Sequence, residues 1–291
     1  MNVLRKLCIL TISSFLLSLI YSCGSSSRNE LIQNLPDTLK IGTLYSPTSF
    51  FIFRGDTLGY EYERIQNFVS DKKIHSKFYI ARNMAEMISM LDSGKIDIIA
   101  YEIPIINEYK NTLINCGNET VTTQVLVQPK SDNMITDVTQ LIGKDIYVEQ
   151  NSKYEIRLRN LDNEVGGGIS IHSINKDSII TEDLIKMVAE RQIPLTIVDS
   201  DIAKLNQTYF KNIDINLPIS FEQRASWAVN KSNSVLADSI NAWAETSKSI
   251  IDNKRLLKRY FERSRSKDTD LSIPKIDFIN GRISPYDEIF K

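Results

Sequence analysis

The body of this chain is predicted to be α/β: a two-lobed clamshell, each lobe a mostly parallel sheet flanked by helices. Three observations predict it. From Leu39 onward, short apolar runs alternate with amphipathic stretches in strand–helix–strand order. After Val125-Leu126-Val127 the same order begins again. Near the end, Trp227-Ala228-Val229 reads as a strand returning to the first lobe, so two crossings join the halves.

The elements follow in chain order. Leu39-Lys40-Ile41-Gly42-Thr43 reads as the first strand, and Tyr62, Ile65, Phe68 and Val69 carry helical spacing over residues 60–69. Residues 77–80 form a second strand. Met84, Met87, Ile88 and Leu91 share one helix face, and Gly94 stops that helix. Residues 96–100 are a buried strand. In the second half, residues 138–142 read as a short helix, 145–148 as a strand and 154–161 as a helix. Gly166-Gly167-Gly168 is a loop, because neither its spacing nor a following helix fits a phosphate cradle. Residues 169–171 are a strand, 182–189 a helix and 195–199 a buried strand ending at Asp199. Residues 235–251 and 254–261 read as amphipathic helices. Ligands of such folds sit in the cleft at the carboxyl ends of the strands.

Composition narrows the function. The 291 residues are 42% hydrophobic and 24% charged, an ordinary globular balance with chain enough for a core. With 35 basic against 36 acidic residues, no basic field exists to hold nucleic acid. Two histidines and three cysteines show no zinc spacing, and His75 and His172 lie far apart among polar residues, so no metal or other cofactor is expected. The basic run Lys254, Arg255, Lys258, Arg259, Arg263, Arg265 reads as a solvated helix face.

The N-terminus reads as an address. Arg5 and Lys6 precede an apolar run too short for a comfortable membrane span of about 20 residues. The run ends in Leu19-Ile20-Tyr21-Ser22-Cys23, which resembles a bacterial lipobox. The expectation is a lipoprotein signal over residues 1–22, a lipidated Cys23 and a flexible tether over 23–37. Cys8 then leaves with the signal and Cys116 stands alone, so no internal disulfide forms. Loss of Arg5 and Lys6 leaves 33 basic against 36 acidic residues, a net of −3.

Residues 39–261 resemble the family 3 periplasmic solute-binding proteins, a type II periplasmic-binding-protein clamshell. The matching words are Ile41-Gly42-Thr43, Leu58-Gly59-Tyr60-Glu61-Tyr62-Glu63, Leu91-Asp92-Ser93-Gly94-Lys95-Ile96-Asp97 and Ile197-Val198-Asp199-Ser200. Within that group, Thr196 to Ser200 and the tail from Ile283 to Lys291 are most similar to the N-terminal domain of membrane-bound lytic murein transglycosylase F. In such enzymes the lytic glutamate lies in a Glu-Ser dipeptide, which these 291 residues lack. No catalytic residue is therefore assigned, and glycan cleavage would need that carboxyl in a groove.

The resemblance implies ligand residues. Tyr109 falls where the family's carboxylate-gripping arginine stands, with Lys110 beside it offering a point charge. Asp199 falls where a carboxylate meets the ligand ammonium; its other role would be to cap the helix starting at Asp201. Phe50 and Phe51, with Tyr45 before them, fall in the loop that stacks on ligand, or else they pack in the core. Tyr101 and Glu102 follow a strand and rim the cleft. Asn151 and Ser152 offer hydrogen bonds to a carboxylate, or cap their helix.

The expected organisation is a solute-binding domain over residues 38–263 and a linker over 264–291 towards a lytic domain. Lobe one takes 38–128 and 221–263, and lobe two 129–220. The expected function is a lipid-anchored binding module in the periplasm, held to the outer membrane. It would bind an amino acid, peptide or muropeptide and regulate a cell-wall enzyme partner. A solute receptor of an ABC amino-acid importer is the alternative, and a true transglycosylase is a third if catalytic sequence follows Lys291.

Overall fold

The computed structural model describes residues 35–174 and 179–262. Two five-stranded sheets organise it, and each is built the same way. In the first, the order is β4-β1-β5-β12-β6, from β1 (Thr38–Leu44), β4 (His75–Ala81), β5 (Ile98–Pro104), β6 (Leu113–Thr122) and β12 (Gln223–Asn230). Strands β4, β1 and β5 are parallel, while β12 runs antiparallel to both β5 and β6. In the second, the order is β11-β7-β10-β8-β9, from β7 (Gln124–Pro129), β8 (Asp145–Glu149), β9 (Ser170–Ile174), β10 (Thr196–Asp199) and β11 (Ile213–Asp214). Here β9, β8 and β10 are parallel and β7 opposes β10.

Burial on both faces explains the strand sequences. In β5, Ile98 packs into the cluster of Leu39, Ile41, Phe68 and Trp227, while Ile99 turns into the cluster of Met84, Met87, Leu91 and Ile96. A strand covered on both sides reads as a continuous apolar run, and each such side chain contributes about 1.5–3 kcal/mol on burial. Helices α1 (Tyr60–Lys72) and α2 (Met84–Asp92) cover the first sheet, joined later by α6 (Ser234–Ala244) and α7 (Ser247–Leu257). The second sheet is covered by α3 (Lys153–Glu164), α4 (Thr181–Ala189) and α5 (Ser200–Gln207). Its core gathers Leu126, Leu141, Ile146, Val148, Leu158, Ile185 and Ile197.

Some elements differ from the sequence expectation. The amphipathic stretch over 235–251 is two helices, broken at Glu245 because the Thr246 hydroxyl accepts from Ser249 N at 3.2 Å and starts a new one. The segment expected as a helix over 254–261 is the end of α7 followed by a π-helical turn, Lys258–Glu262. Residues 138–141 form a single 3-10 turn. The hairpin of β2 (Phe51–Phe53) and β3 (Asp56–Leu58) turns on Arg54 and Gly55, both at positive φ.

Two crossings join the sheets side by side. One runs from Thr122 in β6 to Gln124 in β7; the other returns through Ile219 and Ser220 towards β12. They are tied together where Gln124 N donates to Ser220 Oγ at 2.9 Å and Ile219 N donates to Gln124 O at 2.9 Å. Strands β5 and β10 end towards each other where the lobes meet, Glu102 and Asp199 sharing one ammonium there. The expected signal, Cys23 and tether, and the segment 264–291, lie outside the described residues, apart from 35–37 at the end of the tether.

Candidate functional site

Three strand ends and one helix start build the site. Strand β5 delivers Tyr101 and Glu102 from lobe one, and β10 ends on Asp199 in lobe two. After β8, Asn151 takes a left-handed φ of 58° and its backbone N donates to Glu155 Oε2 at 2.5 Å. Ser152 then caps α3: its hydroxyl accepts from Glu155 N at 3.2 Å and donates to Glu149 O at 2.7 Å. This geometry points the next residue, Lys153, inward. Its side chain is only 5% exposed.

Lys153 is the centre of the arrangement. Its Nζ donates to Glu102 Oε2 at 2.9 Å, which ties lobe two to lobe one. It also forms a short ion pair with Asp199 Oδ2. The Tyr154 hydroxyl donates to the same Asp199 oxygen at 3.2 Å. Asp199 precedes α5 but makes no side-chain cap bond to it; its carboxylate turns to Lys153 and Tyr154 instead. Asp199 Oδ1 is buried and has no hydrogen-bond partner among the described residues.

The charges respond to burial and to each other. Burial pushes the Asp199 carboxyl up to about 6 against the pull of Lys153. Burial also works against the charge on Lys153, but Asp199 and Glu102 outweigh it and hold the ammonium well above the ordinary lysine value. Glu102, desolvated too, is drawn below the usual carboxylate range by Lys153.

Beside this cluster lies a cavity of about 310 Å³ between the lobes. Pro104, Ile106, Glu108 and Arg224 line it from lobe one, Lys153, Ile156, Arg157 and Asp199 from lobe two, and Gln124 from a crossing. Two of its cations lean on outer carboxylates: Arg157 on Glu164 at 2.6 Å, and Arg224 on Glu119.

Of the residues singled out from sequence, Tyr101, Glu102 and Asp199 come together, and Asn151 and Ser152 set up the turn before Lys153. The others lie elsewhere. Phe51 is buried in a cluster with Tyr60, Leu256 and Tyr260, against which Tyr45 packs. Phe50 packs on Tyr62 and Phe78, with ring centroids 5.5 and 5.6 Å away. Tyr109 ends a 3-10 turn, half-buried against the Met87 cluster, and Lys110 is exposed with its carbonyl accepting from Lys231 Nζ at 3.0 Å. His172 pairs with Asp145 at 2.7 Å on the surface, and His75 is exposed. Among the described residues no group of three or more His, Cys, Asp or Glu is placed to hold a metal ion. Sequence reasoning missed Lys153 itself. The one local hint is that a lysine in the first helical turn opposes the helix dipole unless carboxylates face it, and those carboxylates come from distant strands.

Comparison with known proteins agrees with the fold. Membrane-bound lytic murein transglycosylase F of Pseudomonas fluorescens Pf0-1 is 28% identical over 227 residues, 77% of this chain and 46% of the relative. The same enzyme of Stutzerimonas stutzeri A1501 is 29% identical over 264 residues, 88% of this chain and 53% of the relative. The chain thus spans about half the length of these relatives. Among solved structures, a mutant of ArgBP from T. maritima superposes with a TM-score of 0.69 at 19% identity, covering 80% of this chain and all of that one. A substrate-binding protein of an amino acid ABC transporter gives 0.65 at 17% identity, covering 78% of this chain and 100% of that one. These structures share the type II periplasmic-binding-protein fold. Residues 39–263 match the family model, and the chain belongs to the bacterial extracellular solute-binding proteins, family 3.

Proposed function

We propose that this chain is a ligand-binding module of the lytic transglycosylase F type, held in the periplasm at the outer membrane through a lipidated Cys23. It takes an amino acid, peptide or muropeptide between its lobes and regulates cell-wall turnover through a lytic enzyme partner. The binding domain is residues 38–263, with a signal over 1–22, a tether over 23–37 and a linker over 264–291. The observation that carries this reading is the cavity of about 310 Å³ lined from both lobes, with charged groups at the strands' carboxyl ends. A ligand that contacts both lobes binds the closed arrangement better and so stabilises it.

Thermal shift and calorimetry of residues 23–291 against free amino acids, peptides and purified muropeptides test the reading. Saturable stabilisation by peptide or muropeptide is expected; no response to any of the three classes would overturn it. Turnover of purified sacculi by this chain would refute a binding-only role.

An importer receptor is the second reading. It is favoured by the full coverage of a substrate-binding protein of an amino acid ABC transporter, against about half of the transglycosylases. Tight binding of a free amino acid, with none of muropeptide, would select it.

A further inference from the structure

Two carboxylates, Glu102 from lobe one and Asp199 from lobe two, converge where the lobes meet. Their side chains are 20% and 1% exposed. Buried carboxylates facing one another form a cation site, because neither is tolerable there without a counter-charge. The cation present is the chain's own. The Lys153 ammonium lies 2.9 Å from Glu102 Oε2 and pairs with Asp199 Oδ2. It also lies 5.8 and 5.6 Å from the ring centroids of Tyr101 and Tyr154, which favour a cation.

We propose that Lys153 is a tethered ammonium that fills this cation site, keeps the ammonium of a free amino acid out of it, and so narrows the ligands proposed above to peptide or muropeptide. A free ammonium must displace a group of identical chemistry whose attachment gives it an effective concentration of about millimolar or more. What the site still offers is Asp199 Oδ1, buried and unpartnered among the described residues. That oxygen takes an uncharged donor, an amide N–H or a hydroxyl, as a peptide or glycan presents. This rests on the cleft being the ligand site proposed above.

The test removes the tether and supplies the cation. In Lys153→Ala, which keeps Cβ, n-propylammonium restores the deleted Cγ, Cδ, Cε and Nζ as a free molecule. The variant is expected to bind it saturably, at least tenfold more tightly than the wild type does, with n-propanol and tetramethylammonium inactive on both. No saturable response in the variant, or an equal one in the wild type, overturns the proposal. If Lys153→Ala does not fold alone, refolding it in n-propylammonium reads the same site. The wild type gives an independent check by acetic anhydride labelling and mass mapping. Lys153 is expected to stay unmodified while Lys110 and Lys254 are acetylated; acetylation at their rate overturns the proposal. The probe reads the vacated position whatever the natural ligand, so a failure of muropeptide binding and a failure of this inference are separate results.

Discussion

Three charges meet at the lobe junction, and their count makes an unequal prediction for three substitutions. Glu102 and Asp199 carry two negative charges against one positive charge on Lys153. Removing either carboxylate leaves a neutral pair; removing the lysine leaves two carboxylates, Asp199 buried and Glu102 partly so. Two like charges a few ångströms apart repel by a few kcal/mol at an effective dielectric constant of about 20. Loss of one partner from a buried pair costs about 3–5 kcal/mol. Lys153→Met is therefore expected to lose about 3–5 kcal/mol at pH 7.5. Glu102→Gln and Asp199→Asn each lose about 1 kcal/mol, the net worth of a hydrogen bond, since the excess negative charge is relieved. The pH dependence has a fixed sign. In Lys153→Met the folded carboxylates sit above their unfolded values, so the folded state binds the extra proton. Stability then rises as pH falls from 7.5 towards 5, by up to about 1.4 kcal/mol per unit while that proton is taken up. Urea unfolding at pH 7.5 and 5.5, followed by the fluorescence of Trp227 and Trp243, measures all three variants. Equal damage from the three, or a loss in Lys153→Met that does not change with pH, would refute the charge count.

Three further outcomes follow from other sites. Gly59 holds a φ of 138°, and a Cβ there would stand 2.2 Å from Ser49 O, so Gly59→Ala is expected to cost about 1–3 kcal/mol or more by urea unfolding. Burial pushes the Glu182 carboxyl up to about 8, so its folded form keeps a proton that the unfolded form releases above about pH 4.5. Stability should fall as pH rises from about 5 to 8, and Glu182→Gln should flatten that slope in paired denaturation curves. Burial also pushes the Cys116 thiol up to about 12, so iodoacetamide at pH 8 should leave it unlabelled in the native protein and label it after unfolding, as peptide mapping will show.

The α/β repeat was legible because strands buried on both faces, such as residues 96–100 and 195–199, stand out as apolar runs. Strand β6 was not, since Leu113–Thr122 carries Asn115, Gly117 and Asn118 and is held by pairing with β12 rather than by its own pattern. The break between α6 and α7 hides in a continuous amphipathic stretch. Only the Thr246 cap, a local hydrogen bond, marks it. The π-helical end of the domain owes its place to tertiary contacts: the Tyr260 hydroxyl accepts from Gly59 N at 2.9 Å, and its ring packs with Phe51 and Tyr60. No sequence window contains both partners.

The site divides along the same line. That Tyr101, Glu102 and Asp199 would meet was legible because each lies at or just past a strand's carboxyl end, where this topology brings the lobes together. Phe50 and Phe51 followed the same loop logic, yet the loop also has to close lobe one. Their rings serve that closure: Phe51 sits against the C-terminal turn, and Phe50 sits over Phe78. Lys153 was hidden because a lysine in a polar helix start reads as solvent-facing until the opposite lobe is known. Its pairing with Glu102 depends on how the two sheets sit across two crossings, a relation no local pattern encodes. The same feature that hid the lysine gives it its effect. A cation supplied by one lobe to a carboxylate of the other stabilises closure by the difference between the bridged and the open arrangements, with no ligand needed for that part. A ligand then adds only what its own contacts contribute. On this argument the unliganded chain should be more closed than Glu102→Gln, and small-angle scattering that found the two equally compact would show that the bridge does not hold the lobes.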